Sequence, residues 1–121
     1  MSENPVVVWA ELPVIDLPKA IAFYSKVFSY DMSIDSSGPN PMATLGAPAM
    51  GVGAHLYPGK PSAAGTGATV HLAVPDTLEA TRDRCQAASG KIVSDAITIP
   101  PGRFIYALDP DGNSLGLFEP A

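Results

Sequence analysis

At 121 residues the chain is long enough for one compact core and too short for two. Hydrophobic residues form 46% of it and charged residues 16%, which excludes a disordered or fibrous chain, while thirteen prolines and eleven glycines imply many turns. A net charge of −5 argues against the basic footprint that nucleic acids or anionic membrane surfaces require. No charged-then-apolar leader opens the sequence, and no apolar run nears the ~18 residues of a spanning helix, so the expectation is a cytoplasmic protein. Cys85, the one cysteine, has no internal disulfide partner and reads as a packing residue beside Arg82 and Arg84.

The first predicted strand alternates Val6, Val8, Ala10, Leu12 and Val14 toward a helix-packed face. Asp16 follows as a helix N-cap, and Leu17, Ile21, Tyr24 and Phe28 make an apolar stripe that Ala20, Phe23 and Val27 widen. Short strands are expected around Met32, over Met42 to Leu45 and over Val52 to Tyr57, before a Pro/Gly/Ala/Ser-rich linker at 59–67. A second strand set begins with Val70, Leu72 and Val74. Asp76 is expected to cap a helix from Thr77 to about Ala88, with Glu79 at capping-box spacing and Gly90 at the end. Strands over Ile92 to Asp95, Phe104 to Leu108 and Ser114 to Phe118 complete the chain. The turn Asp109-Pro110-Asp111-Gly112-Asn113 joins the last two, since proline fixes φ while Gly112 and Asn113 tolerate positive φ.

The two halves align. Ala10 to Leu17 lies on Val70 to Thr77 sixty positions later, and Met42 to Pro58 lies without a gap on Phe104 to Pro120 at sixty-two. One β-α-β-β-β unit therefore occurs twice, as module 1 at about 5–58 and module 2 at about 68–120. Helices cover one face of each sheet, and the other face must pack on something or enclose a cavity. Strand parity puts Val7, Trp9, Glu11 and Pro13 on that face in module 1, and Thr69, His71 and Ala73 in module 2. Glu11 and His71 thus occupy equivalent positions and should pair with each other or face a wet pocket, as catalytic residues or as an ion pair closing the module interface. Trp9, Phe104, Tyr106 and Phe118 read equally as core plugs or as stacking surfaces for a ligand. His55 reads as a surface or satisfied histidine, and Met32, Met42 and Met50 as gap-fillers.

The order of strand, Asp16-Leu17, a helix with Ala22-Phe23-Tyr24 and Val27-Phe28, and a closing Asp109-Pro110-Asp111-Gly112-Asn113 resembles the vicinal oxygen chelate superfamily. That group includes glyoxalases, extradiol dioxygenases, fosfomycin-modifying enzymes and bleomycin-resistance proteins, and the resemblance spans Val6 to Pro120. The Trp9-Ala10-Glu11-Leu12-Pro13 stretch is similar to a glyoxalase-like subgroup. The resemblance implies an α+β fold in which two βαβββ modules form an open barrel around a central pocket, frequently in a homodimer. It also implies a divalent metal held by His or Glu at the start of each module's first strand and near the end of its fourth. Carried over, those positions are Trp9, Thr69, Gly116 and, as the first-half equivalent of Gly116, Ala54. None is His or Glu, so no cofactor is expected there. A displaced centre on Glu11 and His71 would have to recruit His55 or Glu119, which parity places on the opposite face. Two functions follow. One is a metal-independent small-molecule-binding protein of the bleomycin-resistance type, with Trp9, Thr69, Phe104, Tyr106 and Phe118 lining the site and Glu11 as counter-charge. The other is a lyase, isomerase or dioxygenase using Glu11 or His71 as general base or displaced ligand. A dimeric structural module with a filled cavity is a third.

Overall fold

The computed structural model describes residues 5–49 and 51–121, so Met50 lies outside the described residues. Module 1 consists of β1 (Trp9–Val14), α1 (Leu17–Phe28), β2 (Ala43–Thr44) and β3 (Gly53–Pro58). Module 2 repeats the order with β4 (Thr69–Ala73), α2 (Leu78–Ala87), β5 (Lys91–Ile92), β6 (Ile97–Ile99), β7 (Gly102–Leu108) and β8 (Ser114–Pro120). In each module the first strand runs parallel to the last, as the crossover helix requires, and the last is antiparallel to the strand before it. The sheet orders are β1-β3-β2 and β4-β8-β7-β5, with β6 on the free part of β7. Both sheets stay open, and no strand pairing joins them among the described residues.

Alternation decides which residues enter the core. Leu12, Val14, Leu56, Leu72, Leu115 and Leu117 point from the strands to the helices, where they meet Leu17, Tyr24, Val27, Phe28, Leu78 and Cys85 in one continuous cluster. The two helices also pack on each other, so both modules share that cluster. Burial pushes the Cys85 thiol up to about 11, with the Asp109 carboxylate adding to the effect, which leaves it a packing residue.

Several expectations need correction. Val6 and Val8 are exposed, because pairing with β3 begins only at Trp9. The strand expected around Met32 does not form; a single Asp35–Met42 bridge stands in its place. Asp16 caps α1 as expected, accepting from the Lys19 amide at 3.0 Å. In α2 the cap is Thr77, whose hydroxyl accepts from the Ala80 amide at 3.1 Å, and Asp76 instead takes the Arg84 guanidinium at 2.8 and 2.9 Å. Glu79 likewise turns outward to Arg103 at 2.6 and 2.7 Å, and this pairing holds its carboxyl down at about 2. β6 has no counterpart among the expected strands. Gly90 is needed for closeness and not for φ, since a Cβ there would stand 2.5 Å from the Cys85 sulfur. The left-handed residue after α2 is Ser89.

The register also corrects the repeat. Leu12 pairs with Leu56 and Leu72 with Leu117, while Ala43 pairs with Leu56 and Ile105 with Leu117. Ala43 to Leu56 spans 13 positions and Ile105 to Leu117 spans 12, so the first hairpin is one residue longer. The last strands therefore correspond at an offset of 61, and His55, not Ala54, is the counterpart of Gly116.

The turn before β8 fastens the modules together. Asp109, 4% exposed, accepts from the amides of Asp111 and Asn113, from Asn113 Nδ2, and from the Tyr24 hydroxyl of α1 at 2.6 Å. Asn113 Nδ2 also donates to the Pro13 carbonyl, and the Ile15 amide donates to Asp111. Gly112 sits at φ +87 with Ala64 of the linker packed against it, where a side chain would collide. Asp109→Ala should cost about 3–5 kcal/mol, since it strands several buried donors, and Tyr24→Phe about 1–3 kcal/mol. Burial, and secondarily Asp109, hold the Tyr24 phenol well above its ordinary value. The fold accepts only the neutral phenol, so its contribution is whole below about pH 10 and declines as pH rises further. Urea titrations between pH 8 and 11 check both points: Tyr24→Phe should flatten the alkaline decline, and an unchanged decline counts against the assignment.

Candidate functional site

On the faces turned away from the helices, module 2 carries a panel of rings. β4 supplies His71, β7 supplies Phe104 and Tyr106, and β8 supplies Phe118. Cross-strand registers Tyr106–Gly116–His71 and Phe104–Phe118–Ala73 bring them side by side. The His71 ring meets Phe104 edge-on at 4.9 Å and Tyr106 and Phe118 at 6.0 and 5.8 Å, while Phe104 and Phe118 are stacked within 8° at 6.2 Å. Phe104 is 7% exposed yet stands apart from the shared core, buried by its ring neighbours, whereas Tyr106 is 37% exposed.

Glycine makes the panel possible. A Cβ at Gly116 would lie 2.0 Å from His71 Nδ1, so the imidazole occupies the notch that a side chain would fill. Partial desolvation there lowers the His71 pKa below its ordinary value, even though the residue as a whole is exposed, and no protein hydrogen bond to its nitrogens occurs among the described residues. Thr69 lies one row away, its hydroxyl 2.6 Å from that of Ser114.

Module 1 carries a polar counterpart. Trp9 Nε1 donates to His55 Nδ1 at 2.9 Å, and His55 Nε2 faces Glu11 Oε1 at 3.2 Å. The indole covers Gly53, whose missing side chain leaves room for it. Glu11 and His55 line a groove of about 470 Å³ bounded also by Asp35, Asn40, Met42 and Tyr57. Glu11 reaches a second, smaller cleft of about 180 Å³ between β1, the linker and the start of β8.

Of the two arrangements expected for Glu11 and His71, a direct pair does not form: Glu11 faces His55, and His71 sits among rings on the other sheet. Nor does Ala54 face the pocket. It is buried against the core while His55 points outward, because of the extra hairpin residue that an ungapped comparison of the halves cannot register. His55 is thus an open-face residue that parity had placed on the opposite side. Glu119 stays on the helix side, as parity predicts, accepting from the Leu78 amide and from Arg103. The positions carried over by resemblance now hold Trp9, His55, Thr69 and Gly116. That set offers one imidazole, with both nitrogens engaged, and no group of three His, Cys, Asp or Glu converges among the described residues. These residues do not fit the donor set of a catalytic metal site.

A cleft of about 460 Å³ also opens on the helix side, lined by Ile15, Lys19, Phe23 and Pro110. Its buried polar groups, Tyr24 and Asp109, already satisfy each other. The sheet faces offer rings and a carboxylate not consumed in that way, and they are the better candidate.

The sequence model of the Glyoxalase/Bleomycin resistance protein/Dioxygenase superfamily matches residues 6–117. No curated protein matches the sequence. Among solved structures, a glyoxalase/bleomycin resistance protein from Albidiferax ferrireducens is 18% identical with a TM-score of 0.72, the match covering 93% of this chain and 97% of that one. The genomically encoded fosfomycin resistance protein FosX from Listeria monocytogenes is 17% identical at TM-score 0.72, over 98% and 94%. A hypothetical protein from S. aureus is 17% identical at 0.71, over 93% and 95%. At these identities the likeness establishes the fold.

Gly116→Ala should leave the protein folded, because the His71 ring can swing aside, but it should dismantle the panel. In an NMR pH titration the His71 pKa should then rise toward the ordinary imidazole value of about 6.5 as the ring regains water. An unaltered titration would show that the notch does not hold the ring.

Proposed function

Since this chain belongs to the glyoxalase/bleomycin resistance protein/dioxygenase superfamily, we propose that it is a small-molecule-binding protein that takes a planar aromatic compound on its open sheet faces, without a metal centre at the family positions. The observation that carries this reading is the panel of His71, Phe104, Tyr106 and Phe118, with an imidazole set where a side chain at Gly116 would otherwise project. A ring stacked on such a surface gains apolar burial and edge-to-face contacts together. The His71 nitrogens can orient a polar substituent, and Glu11 supplies a counter-charge for a cationic one.

Val93, Ile97 and Ile99 are exposed beside the panel, and we assign their cover to a second copy of the chain. An enzymatic reading, in which Glu11 acts as base or as part of a displaced metal site, draws on the 3.2 Å His55–Glu11 contact. It falls one donor short of the three protein ligands a catalytic metal needs.

The test is a thermal-shift titration with 2-naphthol as probe, with and without chelator. The melting temperature should rise by several degrees at saturating probe, equally in both conditions, and Tyr106→Ala should abolish most of the rise. A rise that vanishes with chelator, or stoichiometric metal in the purified protein, would overturn the metal-independent reading. A monomer in sedimentation equilibrium would remove the second copy.

A further inference from the structure

We propose that Trp9 is a positioning residue: it fixes the tautomer of His55 so that the Glu11 carboxylate becomes the recognition point for a ligand bearing a cationic nitrogen donor, an alkylammonium or amidinium group, in the groove of module 1. The proposal rests on the reading of the open faces as a ligand site and adds the chemical class that one of them selects.

The direction of each hydrogen bond follows from atom types. An indole Nε1–H can only donate, so His55 Nδ1, at 2.9 Å, must present its lone pair. In the neutral imidazole the proton then lies on Nε2, the nitrogen that faces Glu11 Oε1 at 3.2 Å. Polarity therefore runs one way: Trp9 donates to His55 Nδ1, which turns the Nε2 proton toward the Glu11 carboxylate. The imidazole is sheltered and the carboxylate open, since the His55 side chain is 13% exposed and that of Glu11 66%.

A carboxylate with one oxygen beside a fixed N–H keeps lone pairs for further donors. Among the described residues no further donor reaches Glu11, whose remaining lone pairs look onto the groove. The other groups facing His55 and the groove are Tyr57, edge-on to the imidazole at 6.1 Å, and Asp35. The hydroxyl and amide of Ser37 hold the Asp35 carboxyl below its ordinary range, so it too is anionic. No lysine or arginine lines this groove. A cationic nitrogen donor beside an aromatic ring satisfies these requirements together, through a charge-assisted bond to Glu11 and the face of Tyr57. The opposite tautomer would turn a lone pair toward the carboxylate and set two N–H groups against each other at Trp9.

Two histidines and one tryptophan make the test direct. Nitrogen-15 NMR of the imidazoles at neutral pH should show His55 as the Nε2–H tautomer in the natural protein and as a mixture in Trp9→Phe, which keeps a ring over Gly53. Titration with benzylamine, protonated at that pH, should shift His55 and Trp9 resonances. Glu11→Gln should weaken its binding about tenfold, the scale of one charge-assisted hydrogen bond, and Trp9→Phe several-fold, with benzyl alcohol little affected. Observation of the Nδ1–H tautomer in the natural protein, or equal benzylamine affinity in Trp9→Phe, overturns the proposal. If benzyl alcohol binds the ring panel while benzylamine never perturbs His55, the proposal fails and the ligand-binding reading stands. If neither probe moves any open-face resonance, both fail.

Discussion

The structure depends on one buried carboxylate. Asp109 organises its own turn through two amides and the Asn113 side chain, and it reaches across the module boundary to the Tyr24 hydroxyl. A carboxylate so far from water is tolerable only because four donors replace its hydration, three from its own turn and one from α1. Asn113 extends the same network to the Pro13 carbonyl and Asp111 to the Ile15 amide, so the end of β1 and the start of β8 are set by a single turn. What a sheet pairing might have done between the modules is done here by this turn and by the shared core under α1 and α2.

With the helices committed to each other, each sheet is left with a face that the helices do not cover. The faces differ in kind although they derive from one repeat. At matching registers, module 1 places Glu11 against His55 and module 2 places His71 against Gly116. In the first, an imidazole is sheltered, hydrogen-bonded by Trp9 on one side and facing Glu11 on the other; in the second, an imidazole lies in the space a side chain vacated and is surrounded by rings. The first suits a charged group and the second an apolar plane, and this division is the physical basis of the ligand class assigned to the protein.

Much of this was legible in the sequence. The strand alternation, the stripe of α1, the Asp16 cap and the closing turn rest on local rules and stand as expected, because a period of two or of 3.6 survives without knowledge of tertiary partners. The open-face position of Trp9, Glu11 and His71 followed from the same alternation. What could not be read locally were choices settled by distant groups. Asp76 had a serviceable cap position, but Arg84 offered it a bidentate partner and Thr77 took the helix end. His55 was assigned to the wrong face by one residue of hairpin length, which sequence alone cannot place when the loop has no counterpart to count against. A comparison of Leu12-to-Leu56 with Leu72-to-Leu117 spacing was the available signal, since both pairs are apolar and belong to the core. The missing strand at Met32 and the added strand at Ile97 both lie at sheet edges, where few partners enforce regular structure.

The central claim is that ligands meet the sheet faces and not the helix-side cleft, although the two grooves are of similar size. The most direct measurement is an NMR map of ring and methyl resonances during titration with a planar aromatic probe. The account predicts shifts at His71, Phe104, Tyr106 and Phe118, with Phe23 and Ile15 unmoved; shifts confined to Phe23, Ile15 and their neighbours around Pro110 would contradict it.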